Sequence, residues 1–324
     1  FFAVSTTSPV IQGWFAATGH RRAVDPYFLY VASNIGSIVA LLSYPVWIEP
    51  HFHLGQQSRY WMWGYWALVV LTLVCASRLW RTPAPPPAAV PTVPPARLTI
   101  PWKRRFHWLL LAFVPSSLML GVTAYLSSDI AVVPLLWIVP LAIYLLTFIL
   151  AFARHELIPP RLLTRMLPIL MVALVMGLNL QATQPIGALM VLHLLTFFVA
   201  ALLCHAKLAA DRPPVAGLTG FYLWLSAGGA MGGVFNALIA PRIFSSVAEY
   251  PIGLVLACFV GLNAPRNDQS PRERANDWLW PAGLALVSVG LVLALQASGR
   301  KADAAVLGLL FGVPALVGFL FSRR

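Results

Sequence analysis

The sequence predicts an all-α integral membrane protein, a multi-helix bundle with about ten transmembrane helices, and three observations carry that prediction. Of 324 residues, 59% are apolar and only 10% are Asp, Glu, Lys or Arg, against about 25% charged in an ordinary globular domain. A water-facing surface cannot be assembled from so few charges. The apolar residues gather into runs close to the roughly 20 needed to cross about 30 Å of hydrocarbon. Lys and Arg, finally, alternate between the ends of those runs as one orientation in a membrane requires.

In chain order the runs are 27–48, 61–80, 106–126, 131–153, 163–181, 185–207, 218–240, 248–263, 278–297 and 303–321, after a partial one at the start. Run 248–263 is short for a span. Pro115, Pro134, Pro140, Pro168 and Pro314 fall inside runs and predict kinks, which neighbouring helices tolerate by satisfying the freed backbone groups. Trp47, Trp61, Trp63, Trp66, Trp102, Trp108, Trp278 and Trp280 lie near run ends, as an interfacial aromatic belt predicts.

The net charge is +12. A nucleic-acid binder would cluster such charge on a soluble face, whereas here Lys and Arg sit between apolar runs. If the 81–105 connection is cytoplasmic, simple alternation of the runs puts 18 of the 22 Lys and Arg inside, leaving Arg59, Arg242, Arg300 and Lys301 outside. The expected location is therefore a membrane crossed many times, with the 81–105 linker and the C-terminus cytoplasmic and the lipid bilayer as the main partner. Eight prolines between Pro83 and Pro101 make the linker an extended, semi-rigid spacer. Cys75, Cys204 and Cys258 lie in separate apolar runs without a C-x-x-C, which excludes a disulfide framework and a thiolate zinc site and leaves apolar packing. The chain opens Phe1-Phe2-Ala3-Val4 with no Met and no signal-peptide pattern, so we expect a segment of a longer protein.

An internal repeat organises the runs. Tyr27-Phe28-Leu29-Tyr30, followed by Ala32, Ser33, Gly36 and Ala40 and closed by Pro45, matches Phe221-Tyr222-Leu223-Trp224, followed by Ser226, Gly228, Gly229, Gly232 and Gly233 and closed by Pro241. The stretches lie about 194 residues apart, and the second run is the sixth after the first. Two six-helix halves joined by a long linker is the major-facilitator plan, with parallel repeats. It divides the chain into 1–80, the partial end of an N-terminal half; 81–105, the linker; 106–263, a C-terminal half; and 264–324, two additional helices.

Several stretches carry a family resemblance: Ser5-Thr6-Thr7-Ser8-Pro9 with Trp14-Phe15; Asp25-Pro26-Tyr27-Phe28-Leu29-Tyr30 with Ala32-Ser33-Asn34; Ser128-Asp129-Ile130 with Pro134-Leu135-Leu136-Trp137; Cys204-His205; and Phe221-Tyr222-Leu223-Trp224 through Gly232-Gly233-Val234-Phe235-Asn236. Together they resemble the membrane domain of the bacterial fused major-facilitator and spermidine synthase proteins. The resemblance implies a membrane bundle that is often followed by a cytosolic aminopropyltransferase-like domain. No catalytic residue carries over, because the one glycine cluster lies inside an apolar helix rather than in a soluble Gly-rich turn. The segment itself is therefore expected not to be an enzyme and to use no cofactor.

Candidate residues follow from the cost of polar groups in hydrocarbon. Ser33 and Asn34, with Asn236 in the matching region, are candidates to line a central path, against simple interhelical hydrogen bonding. His193 is a candidate proton carrier, against a satisfied core histidine, while His205, beside Lys207, reads as interfacial. Asp129 is a candidate for attracting a cationic solute from outside, and Glu249 reads as a helix-start acid. Tyr30 and Trp224, at matching repeat positions, offer aromatic faces to a cation, against plain packing. His51-x-His53 with Glu49 has metal-ligand residue types without supporting spacing, so no metal site is expected. Gly228, Gly229, Gly232 and Gly233, with Ala32, Gly36 and Ala40 in the first half, are expected to let helices approach closely.

Two function classes follow. One is a transporter-like domain for a small cationic or amine solute such as a polyamine. The other is a non-transporting anchor for a fused spermidine-synthase-like cytosolic domain, or a structural subunit of a membrane complex.

Overall fold

An apolar chain with this few charges satisfies its backbone internally by coiling into helices, and the computed structural model is all-helical, with no strand among the described residues. Those are residues 2–262 apart from 19, 21–22, 24, 82–99, 131–132, 180–183 and 246. We label the helices α1 (Phe2–Ala16), α2 (Phe28–His51), α3 (Leu54–Arg81), α4 (Trp102–Ile130), α5 (Ile138–Ala151), α6 (Pro160–Asn179), α7 (Ile186–Ala210), α8 (Val215–Ile243) and α9 (Glu249–Leu262). Five of them, α2, α3, α4, α7 and α8, are long and apolar enough to cross a membrane, and α5 and α9 are shorter apolar helices.

The axis of the bundle is α4. It packs against α5, α7, α8 and α9, α6 packs on α7, and α2 lies along α5. Leu111, Val114, Leu118 and Val122 of α4, with Phe197, Leu203 and Leu208 of α7, form the buried core. By contrast α3 buries only Gln57 and Ala76 and exposes Trp61, Trp63, Trp66, Leu71 and Leu73. At about 1.5 Å per residue its 28 residues reach roughly 42 Å. A face of that size is an aggregation liability in water and an ordinary surface in lipid.

Three wide helical turns interrupt the α-geometry, at Tyr44–Ile48, Leu126–Ile130 and Phe235–Ile239. The first holds Pro45, and the third ends just before Pro241; each proline removes an N–H from the ladder. Pro115 and Pro168 do fall inside helices. The expectation of kinks at Pro134 and Pro140 is corrected. Pro134 precedes α5 in a turn where Leu135 takes φ 61°, and Pro140 occupies the first turn of α5, where its missing N–H costs no intrahelical bond. The run expected over 131–153 is therefore a 14-residue helix. α3 starts seven residues before the expected 61, because Gln56, Gln57 and Arg59 join the helix despite their polarity.

The runs 278–297 and 303–321, the unit 264–324, Pro314, Trp278 and Trp280 lie outside the described residues, as does linker 82–99.

Candidate functional site

Two ion pairs tie one end of the bundle together. Arg104, at the start of α4, donates from Nε to Asp211 Oδ1 and from Nη2 to the Asp211 carbonyl, both at 2.9 Å. Trp108, one turn further along, donates Nε1–H to Asp211 Oδ2 at 2.6 Å. Arg212 pairs with Asp25 at 2.8 Å and lies over the Tyr27 ring, whose hydroxyl donates to the Pro213 carbonyl at 2.8 Å. These contacts set the start of α2, the start of α4 and the end of α7 at one level. The interfacial reading of Trp108 is corrected: its ring is fully buried, because Asp211 supplies an acceptor that sequence distance hides.

Just inside this end the two repeat stretches meet. Tyr27 stands edge-on to Phe221 at 5.8 Å, and Tyr30 packs on Tyr222 at 5.3 Å, Phe148 at 5.5 Å and Phe152 at 5.4 Å. Phe148 stacks on the His205 imidazole at a centroid separation of 3.6 Å, and Tyr144 meets that ring edge-on at 5.3 Å. Tyr222 donates its hydroxyl to Gln12 Oε1 at 2.7 Å, and Gln12 Nε2 reaches Ser8 Oγ. Four helices besides α1 thus contribute to one aromatic cage: α2, α5, α7 and α8.

Thr147 is the side-chain hydrogen-bond partner of His205. Thr147 Oγ1 donates its one hydrogen to the Tyr144 carbonyl at 2.7 Å and lies 2.9 Å from His205 Nδ1. With the hydroxyl proton on the Tyr144 carbonyl, Thr147 accepts from Nδ1–H and Nε2 is left as the acceptor nitrogen. That Nε2 is buried with no partner among the described residues. Thus the interfacial reading of His205 is also corrected, the side chain being fully buried.

The other expected site residues fall in different places. Asn34 is buried one turn beyond Tyr30 and donates to the Tyr30 carbonyl at 2.8 Å, while Ser33 is exposed. His193 is buried towards the opposite end, sharing a 2.9 Å hydrogen bond with Tyr250 and stacking on Tyr125 at 4.7 Å. Asp129 is exposed and accepts from Ser128 at 2.6 Å. Trp224 packs edge-on against Trp102 at 5.1 Å. Asn236 donates to Ser117 Oγ at 2.7 Å and to the Gly232 carbonyl at 3.0 Å, its Oδ1 buried without a partner among the described residues. Only Tyr30 and Asn34 therefore adjoin the cage.

The small residues divide likewise. A Cβ at Gly228 would clash with the Leu109 carbonyl oxygen and come within 2.9 Å of Ala112 Cβ; at Gly232 it would lie 2.8 Å from the Phe113 carbonyl oxygen. Those two glycines seat α8 on α4. Gly229 has only the Tyr144 hydroxyl at 4.0 Å, and Gly233 and Gly36 have no neighbour within 4 Å. The packing role expected for Gly36, Ala32 and Ala40 is corrected, since α2 turns that face outward and leaves all three exposed.

Sequence reading missed Thr147, Tyr144, Tyr222 and Gln12. Thr147 carried a usable signal as the only hydroxyl besides Tyr144 in the run of α5. Gln12 carried none, because its partner lies 210 residues away. Among the described residues no group of three or more His, Cys, Asp or Glu gathers to hold a metal.

The fold and its buried polar centre fit a membrane-embedded helical protein. Comparison with protein-family models, curated proteins and solved structures finds no match to this chain.

Proposed function

We propose that the chain is a transporter-like membrane domain for a small cationic or amine solute, with the aromatic cage as its recognition centre. The observation that carries the reading is the buried, unpartnered Nε2 of His205, whose ring lies against Phe148 and Tyr144 and which is an acceptor when Nδ1 carries the hydrogen. An unpaired acceptor in a low-dielectric interior costs about 1–3 kcal/mol, and an ammonium or amine N–H is the group that would repay it. Aromatic faces attract such a cation, and among the described residues the acidic side chains Asp25, Glu49, Asp129, Glu156, Asp211 and Glu249 all lie at or near helix ends or in connections. A cation in the interior would thus be held by rings and imidazole.

On this reading the basic end formed by Arg104, Arg154 and Arg212 faces the cytoplasm of a bacterial inner membrane, by the positive-inside rule. The two halves of a major-facilitator plan would rock about the Pro-rich linker. The resemblance to the fused major-facilitator and spermidine synthase proteins supports an amine as the solute class. A second reading, a non-transporting anchor for a spermidine-synthase-like cytosolic domain, is favoured by one observation: Tyr30, Phe148 and His205 pack ring against ring, with centroids 5.5 and 3.6 Å apart, and His205 is fully buried.

Proteoliposomes reconstituted with the full chain separate the two. Uptake of putrescine or spermidine above empty vesicles, abolished in His205→Ala and retained in Ser33→Ala, supports transport. Absence of uptake across an amine panel overturns it in favour of the anchor.

A further inference from the structure

A cavity of about 330 Å³ opens at the basic end between α5, α6 and α7, a volume within the range of small-ligand sites. Its floor is apolar, built from Leu150, Leu163, Leu202 and Ala206, and its mouth carries Arg154 and Glu156. Arg212 also lines it, but Asp25 already holds that guanidinium at 2.8 Å. Arg154 and Glu156 are exposed, sit two residues apart in the α5–α6 connection, and form no ion pair with each other or with another side chain among the described residues. Opposite charges held apart at the rim of an apolar pocket complement a molecule that carries both charges beside an apolar tail.

We propose that this cavity is a binding site for a zwitterionic aminophospholipid, the phosphate on Arg154, the primary ammonium on Glu156 and the start of an acyl chain on the leucine floor. Two features favour it over a purely anionic lipid. Glu156 would repel a second negative charge, and Arg212 is neutralised by Asp25, so the rim is balanced rather than basic. A free phosphorylated amine shares the headgroup chemistry but leaves the leucine floor exposed. The site is separate from the aromatic cage and does not depend on transport.

Native mass spectrometry of the purified full chain in detergent, titrated with phosphatidylethanolamine, phosphatidylcholine and phosphatidylglycerol of equal chain length, tests it. The expected result is retention of phosphatidylethanolamine about fivefold over phosphatidylcholine, the worth of hydrogen bonding from the primary ammonium to Glu156 that a trimethylammonium cannot supply. Glu156→Gln should erase that preference, and Arg154→Gln should lower retention of both lipids about fivefold. Leu202→Trp, which fills the floor, should displace lipid while the far-ultraviolet circular dichroism stays unchanged. Equal retention of all three lipids overturns the proposal. So does phosphatidylglycerol as the preferred lipid, and so does displacement of bound lipid by millimolar free phosphoethanolamine.

Discussion

His205 Nδ1 lies 2.9 Å from Thr147 Oγ1, and this contact joins α7 to α5 with both partners fully buried. With the threonine proton on the Tyr144 carbonyl, Nδ1–H donates to Thr147 and Nε2 is the buried nitrogen left without a partner among the described residues. The chemical character of the cage thus rests on one hydroxyl.

Replacing Thr147 by Val keeps the shape and removes the acceptor. The Nδ1–H then loses its partner in the interior, and we expect a loss of about 1 kcal/mol, the size of a typical hydrogen bond inside a membrane bundle or slightly more. Thr147→Ser should be near wild type. Denaturant unfolding in micelles measures the difference, and ¹⁵N spectra of labelled histidine should show the tautomer bias weaken in Thr147→Val alone. An unchanged bias would mean that the threonine does not set the tautomer.

Gly228 and Gly233 share a helix yet predict opposite outcomes. Gly228→Ala drives a methyl into the Leu109 carbonyl of α4, and relief requires the two helices to separate. Overpacking of this kind costs about 1–3 kcal/mol, and more where backbone opposes the methyl. Gly233→Ala enters open space and gains helix propensity, so its effect should stay within about 0.5 kcal/mol. Melting temperatures of the two purified variants provide the comparison, and equal losses would refute the α4–α8 seating.

Such contrasts show what the sequence could carry. The order and most boundaries of the described helices were legible, because long apolar runs are local signals, though five of these helices are long and apolar enough to cross a membrane against the ten spans expected of the whole chain. Glycines four apart pointed to close packing on one face, yet they could not say that Gly228 and Gly232 meet a neighbour while Gly229 and Gly233 do not, since that depends on where α4 lies. Both Trp108 and His205 were misread for the same reason. Each sits near the end of an apolar run, where the local prior favours the interface, and each is buried by a partner far away in the chain: Asp211 for the tryptophan and Thr147 for the histidine. The aromatic cage was half legible. Tyr30 was marked by the repeat, but convergence with Tyr222, Phe148 and His205 is a product of packing.

Asp211 deserves a charge-specific test, as it accepts from both Arg104 and Trp108. Asp211→Ala leaves the buried indole N–H without an acceptor and should cost about 1–3 kcal/mol. Asp25→Ala removes an exposed pair and should cost at most about 1 kcal/mol. The Asp25 effect should also shrink as salt is raised. Thermal unfolding at low and high ionic strength reads both, and a larger loss for Asp25→Ala would contradict the bonding at this end.

Tyr30 tests the cage as a cation site. Its ring contacts Phe148, Phe152 and Tyr222, so its aromatic surface forms part of the wall. If the solute is an amine held by aromatic faces, Tyr30→Phe should leave uptake in proteoliposomes nearly unchanged. Tyr30→Ala should raise the half-saturating concentration by roughly five- to thirtyfold, the equivalent of about 1–2 kcal/mol of cation–π attraction. Ser33→Ala provides the internal control, because Ser33 lies on the same helix but is exposed and outside the cage. Equal losses in Tyr30→Phe and Tyr30→Ala would place the recognition on the hydroxyl and argue for a hydrogen-bonded, uncharged solute.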